Sequence, residues 1–166
     1  MSNLDWLDKG IITQLNRDAR LSSARIAREL GVSERSVHNR IQRLIEMQVI
    51  RTVAVVNPTA FNYTLAVDIY CEVEVGFQQQ VAEEILSFPQ VSYLAISTGD
   101  QDINLQAYFQ NSEEMHEFIA KQLHQVPGIR RTRTVLIPRI LKDRSQWLPP
   151  EEAYDYSKEI KSRGVS

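Results

Sequence analysis

The sequence predicts an α+β protein in which a helix-turn-helix domain precedes a ferredoxin-like βαββαβ domain. Two observations carry this prediction. Apolar residues recur at helical spacing through the first fifty residues, and two of the helical segments are separated only by a tight glycine turn. From Thr64 onward the hydrophobic period changes to two, and strands and helices then follow in the order βαββαβ.

Length and composition narrow the class of protein. The 166 residues suffice for one ordinary domain or two small ones, and 43% apolar with 24% charged residues is typical of a globular protein. No apolar run reaches the ~20 residues that a membrane helix needs, and the opening residues lack the pattern of a secretion signal. Cys71 is the only cysteine, which excludes an intrachain disulfide, so a cytoplasmic location is expected.

Charge is distributed unevenly along the chain. Residues 1–56 contain nine basic and six acidic residues, a net charge of +3, within a total of −2. The remaining residues therefore carry −5. A basic front and an acidic back favour two modules, with the front attracted to polyanions, although a charge of +3 alone also fits ordinary scatter of surface charges.

Three helices are predicted in the first domain. The inner side of the first helix is marked by Leu4, Leu7, Ile11 and Leu15. The second helix begins at Ser22 or Ser23 and ends at Gly31, a residue suited to a left-handed C-terminal position. Ser33 caps a third helix that runs to about Met47, so the turn between these helices is only GVS.

The segment VIRTVAVVNP follows the third helix and predicts a strand and a linker, because it is rich in β-branched residues and ends in Asn-Pro. The predicted organisation is residues 1–50 for the helix-turn-helix domain and 51–63 for the strand and linker. Residues 64–142 form the ferredoxin-like domain, and residues 143–166 form a tail in which EEAYDYSKEIKS favours a short helix.

The ferredoxin-like domain is predicted from four strands and two helices. The first strand alternates apolar and polar residues from Leu65 to Val75, and a helix follows that buries Val81, Ile85 and either Leu86 or Phe88. VSYLAISTG and INLQAYFQ form a hairpin around a Gly-Asp turn. Ser112 caps the second helix, and IRRTRTVLIPRIL forms the last strand. The helices cover one face of the sheet, so a second copy is the simplest cover for the other face.

The outward side of the third helix carries groups that read nucleic acids. Base-edge contacts are assigned to Arg35, Ser36, His38 and Asn39 near the helix N-terminus. Phosphate contacts are assigned to Arg40, Arg43 and Arg51, which set the register rather than the sequence. A solvated charged face is the usual interpretation of such a helix. The tight turn and the basic front count toward DNA, and the family resemblance given below adds to them.

The sequence TGDQD in the hairpin is a second candidate site. Gly99 permits a close backbone turn whose amides can hold a carboxylate, and Asp100 and Asp102 can bind an ammonium group. An amino acid presents both of these groups. The residue types alone favour a plain hairpin, because Gly-Asp is common in such turns.

The order and spacing of these segments resemble the Lrp/AsnC family of transcriptional regulators. The similarity covers roughly Leu4 to Lys142. It rests on LDWLDKGIITQLNRDARLS, IARELGVSERSVHNRIQRLIEMQVI, the NP linker, STGDQDINL and VPGIRRTRT. The resemblance implies a winged helix-turn-helix followed by a ligand-sensing ferredoxin-like domain. The tail after Lys142 is longer than the usual ending of the family.

The resemblance also implies the partners. Family members use the hairpin loop to bind an effector, so an amino acid or related small molecule is expected there. The candidate effector-binding residues are Thr98, Gly99, Asp100, Asp102, Thr132 and Thr134. Double-stranded DNA is the expected partner of the third helix, and a homodimer, commonly extended to an octamer in the family, is the expected assembly. No catalytic residue, cofactor, metal site or membrane contact is expected.

Two other functions fit the same fold. Siroheme decarboxylases are similar in fold but act as enzymes on tetrapyrroles, with histidine- and arginine-rich signatures around the central hairpin. The hairpin SYLAISTGDQDINLQAYF contains neither residue type. The second alternative is a metabolite-binding module that has lost DNA binding, and the intact basic face from Arg35 to Arg43 argues against it.

Overall fold

The computed structural model describes residues 4–156 and divides them into two compact units. The first unit combines residues 4–55 with residues 142–156, and the second unit comprises Val56–Leu141. In sequence, the second unit is therefore inserted into the first. Within the described residues, no helix combines the length and the apolar character needed to cross a bilayer.

The first unit contains the three predicted helices. They are α1 (Trp6–Arg17), α2 (Ser23–Leu30) and α3 (Glu34–Glu46). Ser22 and Ser33 cap α2 and α3 with their hydroxyls, as predicted. Gly31 ends α2 with a φ of 69°, a left-handed conformation that glycine adopts without a steric penalty. The three-residue turn between α2 and α3 confirms the helix-turn-helix.

The core of the first unit explains why a glycine is tolerated inside α1. Its buried apolar residues are Leu7, Ile11, Ile12, Ile26, Ala27, Val37, Leu44 and Tyr154. A Cβ at Gly10 would lie 2.9 Å from Leu30 Cδ2, which is closer than packed carbon atoms approach. Gly10 weakens the helix by about 1 kcal/mol relative to Ala, but it allows Leu30 to pack directly against α1.

The strand predicted after α3 does not form. Residues 50–57 have no regular secondary structure, and the side chains of Val53, Val55 and Val56 are 60%, 68% and 64% exposed. A strand requires a hydrogen-bonded neighbour, and no strand in the described part of the chain pairs with this segment. Asn57 then caps a short 3₁₀ helix, Pro58–Phe61.

The second unit is the predicted ferredoxin-like domain. Its elements are β1 (Leu65–Val73), α4 (Gln78–Ile85), β2 (Val91–Ile96), β3 (Ile103–Phe109), α5 (Ser112–Lys121) and β4 (Ile129–Ile137). The strands form one sheet in the order β2-β3-β1-β4, and neighbouring strands are antiparallel. Apolar residues of β1 and β3 alternate inward and form a core with α4 and α5. Phe118 of α5 packs on Phe109 of β3, with ring centroids 5.3 Å apart.

Several predicted boundaries differ from the observed ones by one to four residues. Asn111, rather than Ser112, caps α5, because its side chain accepts the amide of Glu114 at 2.9 Å. β1 ends at Val73, and the side chain of Val75 is fully exposed beyond it. The last strand ends at Ile137, one residue before a proline that has no amide to donate.

Two further predictions concern apolar packing and the tail. Leu86 is 68% exposed, whereas Phe88 packs against the core, which resolves the alternative at the end of α4.

Residues 151–156 form a 3₁₀ turn, Glu151–Ala153, followed by extended backbone rather than the start of an α-helix. The rest of the helix predicted there, from residue 157, lies outside the described residues.

Candidate functional site

The N-terminal turns of α3 present polar side chains to solvent. Ser33 Oγ accepts the amide of the half-buried Ser36 at 3.2 Å and so fixes the start of the helix. Arg35, His38 and Asn39 are exposed, and their spacing of three and four residues places them on one side of the helix. This side offers guanidinium, imidazole and amide groups, which can bond to base edges in a major groove.

Arg40 and Arg43, one turn further along α3, are engaged within the unit. Arg40 Nη1 lies 2.8 Å from Asp5 Oδ2 and 2.9 Å from Asp8 Oδ2. Arg43 Nη2 lies 2.6 Å from Asp8 Oδ2. The Arg40 and Arg43 side chains are 27% and 40% exposed. Both arginines therefore bind α1, whereas the sequence analysis expected them to face outward toward phosphates.

The two carboxylates that hold these arginines also cap α1. Asp5 Oδ1 accepts the amides of Leu7 and Asp8 at 3.1 and 3.2 Å. Asp8 Oδ2 accepts the amide of Asp5 at 3.0 Å, which completes a reciprocal capping box. Both residues are buried, Asp8 completely. This role was not predicted from the sequence, although two acidic residues three apart at the start of an amphipathic helix are a signal for it.

The ion pairs determine the charge state of the cluster. Burial acts to raise the pKa of Asp5, but hydrogen bonds from the Asp8 amide and from Arg40 outweigh burial and hold that pKa below its usual value. Burial also acts to lower the pKa of Arg40, and its bonds to Asp5 and Asp8 reverse this and raise it. Asp5 and Arg40 are therefore both charged at neutral pH, and charge-assisted hydrogen bonds tie α3 to α1.

Arg51 lies in the extended segment after α3. Its side chain is exposed. Within residues 4–156, neither Arg51 nor Arg35 has an ion-pair partner. Of the four arginines predicted to contact DNA, these two are the ones whose guanidinium groups are not already bound to the described part of the protein.

The loop between β2 and β3 spans residues 97–102 and is longer than a tight two-residue turn. The Ser97 amide donates to the Asp102 carbonyl at 2.8 Å, and Ser97 Oγ donates to the Gln101 carbonyl at 2.8 Å. Gly99 has a φ of 131°, which side-chain-bearing residues rarely adopt. Thr98, Gly99 and Asp100 are exposed at the tip of the loop, as a ligand contact requires.

Asp102 is bound to the protein rather than open to solvent. Its Oδ2 accepts the amide of Val73 at 2.8 Å, and its Oδ1 accepts Gln78 Nε2 at 2.9 Å. These two hydrogen bonds hold the pKa of Asp102 below its usual value. Asp102 thus joins the loop to the end of β1 and the start of α4, and Asp100 is the loop carboxylate that remains available.

A cavity of about 180 Å³ opens beside this loop. It is lined by Glu72, Asp100, Gln101, Arg131, Thr132 and Arg133. The lining brings carboxylates and guanidinium groups together across β1, β4 and the loop. Such a combination can bind a ligand that carries both a positive and a negative charge.

Strand register divides the β4 residues between the two faces of the sheet. Thr132 and Thr134 pair with the buried residues Cys71 and Ile69, so their side chains share the helix-covered face. Thr132 Oγ1 lies 2.7 Å from His124 Nε2. Thr132 reaches the cavity as one of its lining residues, but its hydroxyl already has this partner, and Thr134 does not line the cavity.

The opposite face of β4 supplies the charged residues that the sequence analysis did not select. Arg131 pairs in register with Glu72, and Arg131 Nη1 lies 3.8 Å from Glu72 Oε1. Arg133 pairs with Tyr70, and its guanidinium carbon lies 4.8 Å from the centroid of the Tyr70 ring. The alternating sequence IRRTRTVLI contains this signal, because arginines and threonines on one strand must face opposite ways.

The single cysteine is buried in the core and is not part of either candidate site. Burial raises the pKa of the Cys71 thiol to about 12, so this residue is a neutral part of the core. In the part of the chain that the structure describes, no group of three or more His, Cys, Asp or Glu residues is arranged to hold a metal ion.

Both units match models of known protein families. Residues 4–45 match the model of the AsnC-type helix-turn-helix domain, and residues 68–147 match the model of the Lrp/AsnC ligand binding domain. An uncharacterized HTH-type transcriptional regulator of Pyrococcus horikoshii is 34% identical over 84% of this chain and 89% of its own length. The HTH-type transcriptional regulator FL11 of Pyrococcus furiosus is 31% identical over 86% of this chain and 95% of its own.

Solved structures share the fold. AsnC of Escherichia coli matches with a TM-score of 0.80 at 20% identity, covering 85% of this chain and 96% of that one. A transcriptional regulator of Neisseria meningitidis, solved as a complex with L-Met, matches with a TM-score of 0.84 at 21% identity. The second match covers 91% of this chain and 99% of that one. The helix-turn-helix and the four-stranded sheet are thus found in the same order in these proteins.

Proposed function

Because this chain belongs to the Lrp/AsnC family of transcriptional regulators, we propose that it reads specific DNA sequences with α3 and responds to an amino acid or related small molecule. One observation carries the DNA part of the proposal. Arg35, His38 and Asn39 are exposed on one side of α3, while the arginines of the next turn hold that helix in place. A recognition helix needs both features, since its contacts depend on a fixed orientation.

The contacts to DNA divide by chemistry. Arg35 and Asn39 suit bidentate bonds to guanine and adenine, with Ser36 and His38 beside them. Arg51 suits a phosphate. We assign Arg40 and Arg43 first to holding α3 on α1, and the exposed parts of their guanidinium groups remain accessible to a phosphate. Two-fold dimers would place paired α3 helices in successive major grooves, about 34 Å apart.

The cavity beside the 97–102 loop is the proposed effector site. A free amino acid is a zwitterion, and the cavity offers Arg131 and Arg133 for its carboxylate and Glu72 and Asp100 for its ammonium group. The fold-related neisserial regulator in complex with L-Met supports the same class of ligand. The loop amides around Gly99, with Thr98, add hydrogen-bond donors at the rim.

We further propose a homodimer, which in this family commonly assembles into octamers. The sheet face opposite the helices carries Tyr70, Tyr93 and Tyr108, all of them half-buried in the single chain. An antiparallel sheet with one face covered by helices leaves the other for water or a partner. Aromatic residues such as these are enriched where a partner packs.

Selection of duplexes from a random-sequence pool, followed by affinity measurements over a salt series, tests the DNA proposal. The wild-type protein should enrich a palindromic site. Arg51→Ala should reduce the slope of log affinity against log salt by about 1, because one phosphate contact is lost. Arg17→Ala is the matched control, since Arg17 is an exposed arginine of the same unit on α1, and it should leave the slope unchanged. Absence of any selected duplex at low salt would reject DNA reading and favour a metabolite-binding module.

A further inference from the structure

The chain returns to the first unit after β4, and residues 143–156, which we call the C-terminal segment, lie against α1. The Asp155 amide donates to the Leu4 carbonyl at 2.7 Å, and a single parallel β-bridge joins Asp155 to Asp5. Tyr154 is only 7% exposed and belongs to the core of the helix-turn-helix unit. A stretch outside the three helices thus completes their core.

Polar contacts fasten the C-terminal segment along the length of α1. Lys9 Nζ forms an ion pair with Glu151 and donates to Tyr156 Oη at 3.0 Å. Tyr156 Oη donates in turn to Glu151 Oε1 at 2.8 Å. In the last turn of α1, Asn16 Nδ2 donates to the Ser145 carbonyl at 2.7 Å. The segment is therefore held at both ends of the helix.

The N-terminal end of α1, where the C-terminal segment bridges to Asp5, is also the end that holds α3. The backbone of Asp5 bridges to Asp155, while its carboxylate binds Arg40. Asp8, one turn along, is completely buried and binds Arg43. Any shift of this end of α1 would move the carboxylates that fix α3, and a charge-assisted bond of 2.6–2.9 Å is sensitive to such shifts.

We propose that the C-terminal segment is a positioning element of the DNA-binding unit. Tyr154 and the Asp155 backbone hold the start of α1, and α1 in turn orients the exposed side of α3 through Asp5 and Asp8. The segment acts through α1 and does not itself contact DNA. This inference rests on the proposed reading of DNA by α3, and it adds a part of the chain far from α3 in sequence to that function.

Three variants of full-length protein test the proposal. Tyr154→Ala removes the buried ring, and Tyr154→Phe keeps the ring. Trp147→Ala is the matched control, because Trp147 is an aromatic residue of the same segment that is 62% exposed. Each variant is measured for affinity to the selected duplex and to a scrambled duplex, and for amide hydrogen exchange in α1 and α3. The folded fraction under assay conditions is measured by circular dichroism.

Tyr154→Ala is expected to weaken binding to the selected duplex by at least about fivefold, the lower end of typical coupling between distant parts of a protein. Binding to the scrambled duplex should change less, because phosphate attraction needs no exact helix orientation. Amides of α3 should exchange faster. Tyr154→Phe and Trp147→Ala should match wild type in all three measurements.

Two results would overturn the proposal. One is an unchanged ratio of selected to scrambled affinity in Tyr154→Ala. The other is a loss of affinity fully accounted for by a lower folded fraction, which would make the segment a stabilising element only. If wild type selects no duplex, the DNA proposal fails. Hydrogen exchange then decides the positioning proposal, because unchanged α3 exchange in Tyr154→Ala rejects it and faster exchange supports it.

Discussion

The two units each contain a cluster of two carboxylates and two arginines, and the two clusters differ in burial and in the distances between their charges. In the first unit the members are Asp5, Asp8, Arg40 and Arg43, joined by contacts of 2.6–2.9 Å, with both carboxylates buried. In the second unit they are Glu72, Asp100, Arg131 and Arg133, where the Glu72–Arg131 pair is 3.8 Å apart and Arg131 is 77% exposed. Burial makes the first cluster a joint between two helices, and exposure leaves the second cluster accessible to the ligand proposed above.

Burial and geometry account for the difference. A buried charge must be paired, because removing one partner leaves the other desolvated and uncompensated. An exposed pair at 3.8 Å stabilises the fold by roughly 0–1 kcal/mol and can exchange its partner for a ligand at little cost. Charge composition alone therefore does not distinguish the two clusters. The burial of their carboxylates does.

Asp8→Ala provides the most severe test of this comparison. The substitution removes the buried carboxylate that Arg40 and Arg43 share, and Arg40 keeps only its bond to Asp5. We expect the free energy of unfolding to fall by about 3–5 kcal/mol. Urea titration followed by tryptophan fluorescence reports on this unit, because both tryptophans of the chain, Trp6 and Trp147, lie in it.

Asp100→Ala is the matched change in the second unit. Asp100 is exposed, so its removal should change the free energy of unfolding by no more than about 0.5 kcal/mol. If Asp8→Ala and Asp100→Ala lowered the free energy of unfolding equally, burial would not explain the difference between the two clusters.

Within α3, the same distinction applies between exposed side chains and side chains that are bound to α1. Arg35→Ala and Asn39→Ala should each weaken binding to the selected duplex by about 1–3 kcal/mol and relax the base preference at one position. Neither should change the free energy of unfolding by more than about 0.5 kcal/mol, because both side chains are exposed. The measurements are duplex affinity and urea titration on the same preparations.

Arg40→Ala is the control for that experiment. It should lower stability as well as affinity, because it breaks bonds to two buried carboxylates. If Arg40→Ala lost affinity at wild-type stability, Arg40 would be a direct DNA contact and not a joint between helices.

In the second unit, Arg133→Ala should weaken binding of an amino acid found by screening. The expected loss is about tenfold in Kd, roughly the 1.5 kcal/mol of a hydrogen bond to a charged group. Thr134→Val should leave the Kd unchanged, because Thr134 shares the helix-covered face. Isothermal titration calorimetry measures both. If Thr134→Val weakened binding more than Arg133→Ala did, the ligand would contact Thr134, as the sequence predicts. The cavity would then be excluded as the binding site.

Local patterns predicted most of the fold. Ser22, Gly31 and Ser33 define the helix-turn-helix because capping and a left-handed turn depend on a few neighbouring residues. The period-two segments predicted the four strands for the same reason. The strand expected within VIRTVAVVNP does not form. β-branched residues favour extended backbone, but a strand also needs a partner, and no local pattern supplies one.

The candidate sites were harder to predict than the fold, because function depends on residues distant in sequence. The link from Asp8 to Arg43 joins positions 35 residues apart, and that from Tyr154 to the α1 core joins opposite ends of the chain. The face of β4 that carries Arg131 and Arg133 follows from register with β1. Register requires the pairing to be known, so the sequence alone could not assign Thr132 and Thr134 to one face of the sheet and Arg131 and Arg133 to the other.

The smallest expected effect concerns pH, and it compares one carboxylate from each unit. Asp5 and Asp102 both have a pKa held below the ordinary value of 3.8. Their stabilising contributions are therefore fully present above about pH 4 and are lost as pH falls through the lower, folded-state pKa. In acid the unfolded chain binds the proton first, so lower pH favours unfolding.

Asp5→Asn and Asp102→Asn should each flatten the dependence of unfolding free energy on pH below about pH 4. Asp5→Asn should have the larger effect, because Asp5 is buried and bonded to an arginine, whereas Asp102 accepts bonds only from an amide and a glutamine. Tryptophan fluorescence follows the first unit and far-ultraviolet circular dichroism follows both. Should the two variants flatten the profile equally, the ionic bond to Arg40 adds nothing to the capping bonds of Asp5. The joint between α1 and α3 would then depend on Asp8 alone.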